Sequence, residues 1–176
     1  KLFYEDRSLF IDLMEKVTDG VIRLLKMQIE AGADAVQIFD SWASACPGPH
    51  YESMSLKWIH KIIQALPRGF PVILFAKGMI HHLPALVHTG ASILGVDQSV
   101  HLPSLRQSAP PHITLQGNID PQLLELPPAI VEAETIRFLQ SMRHARGHIM
   151  NLGHGIRPQA RLDSMEAFIN TINAFH

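Results

Sequence analysis

The chain has 176 residues, 47% of them apolar, with 15 basic against 16 acidic side chains and a net charge of -1 when histidines are neutral. That balance leaves no electrostatic footprint for nucleic acid or an anionic membrane surface, and no apolar run approaches the roughly eighteen residues of a membrane span. The single cysteine, Cys46, can form neither an internal disulfide nor a cysteine-cluster metal site, and Lys1 to Asp6 is not a signal peptide, so a reducing, cytoplasmic setting and a small or locally charged ligand are expected.

Ser8 is predicted to cap a helix carrying Leu9, Phe10, Leu13, Met14 and Val17. A second amphipathic run follows through Val21, Leu24, Leu25, Gln28 and Ile29 and stops at Gly32. The apolar run Ala33 to Asp40 reads as a strand. Ser41 to Ser53, with Cys46-Pro47-Gly48-Pro49-His50 inside it, reads as a long loop of the kind that is usually functional. Ser55 is placed to cap a helix with Trp58, Ile59, Ile62, Ile63 and Leu66 on one face. Gly69 then turns the chain into a strand from Pro71 to Lys77.

A helix from about His82 to His88 leads to a strand from Ile93 to Asp97, and one from about Leu102 to Ser108 leads to a strand from Ile113 to Asn118. Pro127 and Pro128 suit the first positions of a helix carrying Ile130, Ile136, Leu139 and Met142. The last apolar run, His148 to His154, precedes a closing helix opened by Asp163. Strands alternating with helices imply an α/β fold with a parallel sheet, whose active site lies on the rim just past the strand ends. A complete (β/α)8 barrel takes roughly 250 residues. Five units fit here and the chain begins at Lys1, so residues 1–176 are expected to be the C-terminal part of one larger domain, which the resemblance described below makes a TIM barrel.

The rim residues by this pattern are Asp40, Ser41, Lys77, Asp97, Asn118, Asp120 and His154. His154 lies between Gly153 and Gly155, where the backbone can turn sharply, and its imidazole suits proton transfer or carboxylate binding. The Ser41 hydroxyl could hold a substrate carboxylate without adding a second negative charge, with Asp40 beside it as support. Lys77 could be a Schiff-base lysine, a fixed cation for an acidic substrate, or a salt-bridge partner of Asp97 or Asp40. Asp120 with Pro121 reads as a helix start, and Gly117 before Asn118 as a point of close backbone approach. Neither His81-His82 nor the stretch His144 to His148 offers a helical i, i+4 pair with a third ligand, and no cysteine assists, so these histidines are expected to be solvent-facing and neither a metal nor a cofactor is expected.

Four segments together resemble the uroporphyrinogen decarboxylase family: Gly32-Ala33-Asp34-Ala35-Val36-Gln37-Ile38-Phe39-Asp40-Ser41-Trp42, Pro71-Val72-Ile73-Leu74-Phe75-Ala76-Lys77-Gly78, Leu115-Gln116-Gly117-Asn118-Ile119-Asp120-Pro121 and Asn151-Leu152-Gly153-His154-Gly155-Ile156. The resemblance implies the last five units of a (β/α)8 barrel and a homodimer. It also implies cofactor-free removal of the four acetate carboxyls of uroporphyrinogen III in tetrapyrrole (haem) biosynthesis. By motif position Ser41 and His154 match substrate-contacting residues. The family's paired arginines, pyrrole-binding aspartate and pocket tyrosine lie upstream of this chain's motifs, so no catalytic residue is expected within it and the isolated chain is expected to be inactive. The spelling departs from the family at Val96-Asp97-Gln98 and at Pro158-Gln159-Ala160.

Two rival readings stand beside this one. A related zinc-dependent cobalamin or folate methyltransferase needs several thiolate ligands, and Cys46 alone cannot supply them. The other is a truncated, non-catalytic barrel that acts as a binding module.

Overall fold

The structure, a computed structural model, describes residues 1–175, and the chain forms two compact units, Lys1–Leu94 and Gly95–His176. In the first, Asp6 separates helix α1 (Leu2–Glu5) from the long helix α2 (Arg7–Glu30) and caps α2, its carboxylate accepting from the Leu9 N–H at 2.9 Å. Asp6 therefore does what the sequence predicts for Ser8, and the two predicted amphipathic runs are one helix. Gly20 inside it costs only about 1 kcal/mol relative to alanine, too little to break a helix anchored by burial of Thr18 and Leu25. Leu9, Leu13 and Val17 of the predicted helix face solvent.

Strand β1 (Val36–Asp40) pairs in parallel with β2 (Val72–Ala76), with Val36 opposite Val72 and Asp40 opposite Ala76. Val36 and Ile38 are buried while Phe39 is exposed, the alternation of a strand covered on one face. The predicted start at Ala33 is too early, because the Ala33 N–H still closes the end of α2 by donating to the Gln28 carbonyl. The predicted long loop is organised into 3-10 turns at Ala43–Ala45 and Gly48–His50 and a π turn at Glu52–Leu56. That π turn runs without a side-chain cap into α3 (Lys57–Gln64), which buries Trp58, Ile59 and Ile62. A 3-10 turn at Ile80–His82 then leads into α4 (Leu83–His88).

Strand β3 (Ile93–Gly95) follows α4, and in the second unit β4 (Thr114–Gln116) pairs in parallel with β5 (His148–Ile149), Leu115 opposite His148 and Gln116 opposite Ile149. These strands are shorter than the apolar runs that predict them. The Asp97 carboxylate accepts from the Ser99 N–H at 2.9 Å and turns the chain out of β3. Beyond β5 the parallel bridge between Ile119 and Leu152 continues the pairing.

The second unit also holds α5 (Leu102–Ser108), a 3-10 turn at Pro121–Glu125 capped by Asp120, α6 (Pro128–Met142) and α7 (Leu162–Ala174). Its core gathers Ile119, Leu124, Val131 and Phe168. In α6, Pro127 is the cap and Pro128 the first residue. Val131 and Thr135 are buried, whereas the predicted Ile130 is exposed.

Arg106 staples this unit. Its guanidinium leaves α5 and donates to the carbonyls of Ala109 at 2.8 Å, Pro110 at 2.6 Å and Ile113, bracing the turn that feeds β4. Arg106→Met keeps the aliphatic stem and strands three carbonyls. It is expected to cost about 2 kcal/mol in urea unfolding, less than three full charge-assisted bonds because the side chain is only half-buried.

Candidate functional site

In the first unit the rim is organised by Asp40 at the end of β1. Its Oδ2 accepts from the Ser55 hydroxyl at 2.6 Å and from the Tyr51 hydroxyl at 3.2 Å. This explains why Ser55, the predicted helix cap, does not cap α3: its hydroxyl is turned back to the strand end. Tyr51 is fully buried, and burial together with the charge of Asp40 pushes its phenol far above the ordinary range, so it stays a hydrogen-bond donor. Ser41 follows, half-buried, at the head of the loop that this carboxylate ties down. Cys46, in the same loop, is raised by burial and then by Asp40, which keeps it a thiol.

Lys77 follows β2 directly, next to this cluster. Its backbone N–H donates to the Asp40 carbonyl at 3.3 Å and its side chain is half-buried. Gly78 adopts φ +73°, and a Cβ there would stand 3.2 Å from that of Ser44, so the turn after β2 and the loop after β1 approach through a glycine. Asp40, Ser41 and Lys77 thus share one strand-end region of this unit.

The second unit presents Asn118 and His154. Asn118 is buried, and its amide donates to the carbonyls of Asp97 at 2.8 Å and Val100 at 2.7 Å, holding the chain as it leaves β3. His154 is exposed, and its Nδ1 accepts from the Gly155 N–H at 2.8 Å, which assigns the neutral ring's proton to Nε2. The glycine before it serves packing: a Cβ on Gly153 would lie 2.3 Å from the Gln98 nitrogen, whereas one on Gly155 would meet nothing within 4 Å.

His148, read from sequence as solvent-facing, is instead half-buried in β5, with Nε2 2.7 Å from the Gly117 carbonyl oxygen. Burial lowers its pKa, and the carbonyl only partly offsets this. The sign follows. The unfolded histidine takes a proton near its ordinary value of about 6.5, the folded one only below it, so stability is full above that value and falls as the pH drops through the window beneath it. His148→Gln is expected to flatten that slope in urea unfolding at stepped pH between about 7 and about 5.

His81 and His82 lie ring against ring at 4.3 Å, and His60 stacks on His88 at 5.6 Å. Among the described residues, no three or more His, Cys, Asp or Glu side chains gather where they could hold a metal ion. No helix among the described residues is long and apolar enough to cross a membrane.

Tyr51 and Ser55 are the site residues the sequence reading missed. The available signal was a tyrosine and a serine four residues apart, on one helical face, shortly after a strand ending in aspartate.

Among solved structures, a methyltransferase from Methanosarcina mazei matches with a TM-score of 0.75 at 21% identity, over 89% of this chain and 46% of that one. A protein described as a vitamin-B12-independent methionine synthase, from Listeria monocytogenes, matches with a TM-score of 0.63 at 12% identity, over 98% and 56% of the two chains. At such identities the likeness is one of fold alone, the α/β fold of a TIM barrel in part. Uroporphyrinogen decarboxylase from Shigella dysenteriae is 36% identical over 178 residues, covering 98% of this chain and 50% of that protein. The one from Yersinia pseudotuberculosis is 37% identical over 179 residues, covering 99% and 50%. The chain spans about half the length of these relatives. The family model for uroporphyrinogen decarboxylase matches residues 1–175, nearly end to end, and the chain belongs to that family.

Proposed function

We propose that this chain is the C-terminal part of a single (β/α)8 domain whose activity is that of a uroporphyrinogen decarboxylase. The enzyme removes the four acetate carboxyls of uroporphyrinogen III to give coproporphyrinogen III. The observation that carries this is the family match over residues 1–175, with the strand-end motifs in order.

The chemistry divides the labour. Loss of carbon dioxide needs a pyrrole protonated at carbon, which accepts the electron pair left behind, and an anionic group near the ring nitrogens stabilises that cation. By the family resemblance those groups belong to the upstream half. Ser41 and His154 are assigned the acidic arms of the substrate: the hydroxyl and the Nε2–H each donate to a carboxylate and hold the reacting acetate in place. Asp40 positions Ser41 through its loop, Lys77 adds a cation, and Asn118 supports the second unit's rim.

The enzyme needs no cofactor in this reading. It works in the cytoplasm as a homodimer and engages neither nucleic acid nor membrane. In an enzyme assembled with an upstream half, Ser41→Ala and His154→Asn should each lower turnover at least tenfold while leaving unfolding midpoints unchanged. Chromatography of coproporphyrin after oxidation reads this out, and unchanged turnover in both variants would remove the assignment.

A further inference from the structure

The segment after β5 leaves the body of the second unit and returns to it. Its two ends are fixed by backbone bonds: the Gly153 N–H donates to the Ile119 carbonyl at 2.7 Å, and the Arg161 N–H donates to the Leu124 carbonyl at 2.9 Å. Between them residues 154–159 are all exposed, and this stretch carries His154. A loop with no buried side chain opens locally at little cost unless something ties it down.

Arg157 supplies a tie. Its Nε lies 2.9 Å from Oε1 of Glu125, and that oxygen is sealed from solvent and accepts no hydrogen bond of ordinary angle from any described residue, so the guanidinium charge is what compensates it. Glu125 is a firm post. It ends the 3-10 turn that Asp120 caps, and it stands between Leu124, buried in the core of this unit, and Leu126, whose carbonyl accepts from the Ser164 hydroxyl at 2.5 Å. Arg137 pairs with Glu134 along α6, and Arg161 with Asp163 at the head of α7, each within one element. Arg157 and Glu125 instead join the loops that follow two different strands. An exposed ion pair holds little, whereas breaking one that covers a sealed carboxylate oxygen leaves that oxygen uncompensated.

We infer that Arg157 and Glu125 are positioning residues for His154: the pair fixes the loop, and with it the place where the imidazole meets a substrate carboxylate. This rests on the assignment of His154 to such a carboxylate. Arg157 is not itself offered to the substrate, because Glu125 already meets its charge. The Gly155 N–H reports on the imidazole directly, since it donates to His154 Nδ1.

In the 176-residue chain, amide exchange followed by nuclear magnetic resonance should quicken about fivefold at Gly155 and Ile156 in Arg157→Gln, with α6 and α7 unchanged, and Arg157→Lys, which keeps the charge, should stay within about twofold of wild type. In an enzyme assembled with an upstream half, Arg157→Gln should lower kcat/KM about fivefold when His154 is present and by less than about twofold in a His154→Asn background, the non-additivity of a residue that acts through another. Arg137→Gln makes the same charge change on α6 and should alter neither readout. Exchange at Gly155 and Ile156 indifferent to Arg157→Gln would overturn the tie whatever the enzyme does, and equal losses with and without His154 would overturn its action through the imidazole. An assembled wild type that makes no coproporphyrin would instead remove the decarboxylase reading, and Gly155 exchange would still decide whether the pair holds His154.

Discussion

Gly117→Ala is expected to destabilise the second unit by about 3 kcal/mol or more. Gly117 adopts φ +135°, where a side chain is strained whatever the space, and a Cβ there would lie 2.6 Å from the Val96 carbonyl oxygen. Val96 cannot yield cheaply, because its N–H is bonded to the Gln116 carbonyl at 2.8 Å and so belongs to the sheet. Gly153→Ala should be comparably costly, since its Cβ would meet the Gln98 backbone at 2.3 Å. Gly155→Ala is the control: nothing lies within 4 Å, and the change should stay within about 0.5 kcal/mol. Urea unfolding of the three variants measures all of this. The two costly glycines immediately precede Asn118 and His154, so the rim of this unit depends on backbone contacts that only glycine allows.

The second large effect is expected at Asp40. Asp40→Ala leaves the buried Tyr51 hydroxyl and the Ser55 hydroxyl without their shared acceptor, at a cost of about 3 kcal/mol. Asp40→Asn keeps an acceptor oxygen of the same reach and should cost only about 1 kcal/mol. The loop gives its own readout. Cys46 is held as a half-buried thiol beside the Asp40 charge, so Asp40→Ala should raise its alkylation rate about tenfold through exposure and a lower thiol pKa, with Asp40→Asn falling between. Equal rates in all three proteins would show that Asp40 does not tie the loop.

How much of this was legible in the sequence depends on whether the determining interaction is local. The order of strands and helices, Asp120 as a cap and Pro128 as a first helical residue follow from patterns within a few residues, and the structure has them. The cap at Ser8 failed because Asp6, two residues earlier, offers a carboxylate to the Leu9 N–H. The strands came out shorter because an apolar run records burial, and burial continues past the last ladder bond into the turns at Asp97 and Gly117. Leu9, Leu13 and Val17 lie on the helix the sequence predicts yet face solvent, because periodicity marks an apolar stripe without saying what covers it.

The pattern placed Asp40, Ser41 and Lys77 at strand ends, where the structure has them in the first unit, and Asn118 and His154 after β4 and β5 in the second. What the sequence hid was tertiary: Tyr51 and Ser55 reach back 11 and 15 residues to Asp40, and His148 is drawn in by the Gly117 carbonyl 31 residues away.

The central claim is that this chain supplies the substrate-holding half of a uroporphyrinogen decarboxylase. Its most direct test is turnover of uroporphyrinogen III by the chain alone, and by the chain co-expressed with the upstream half of the Shigella dysenteriae relative. Coproporphyrin should form only when both halves are present, and His154→Asn should cut the yield at least tenfold. Coproporphyrin from the chain alone, or none from a folded complex of the two halves, would contradict it.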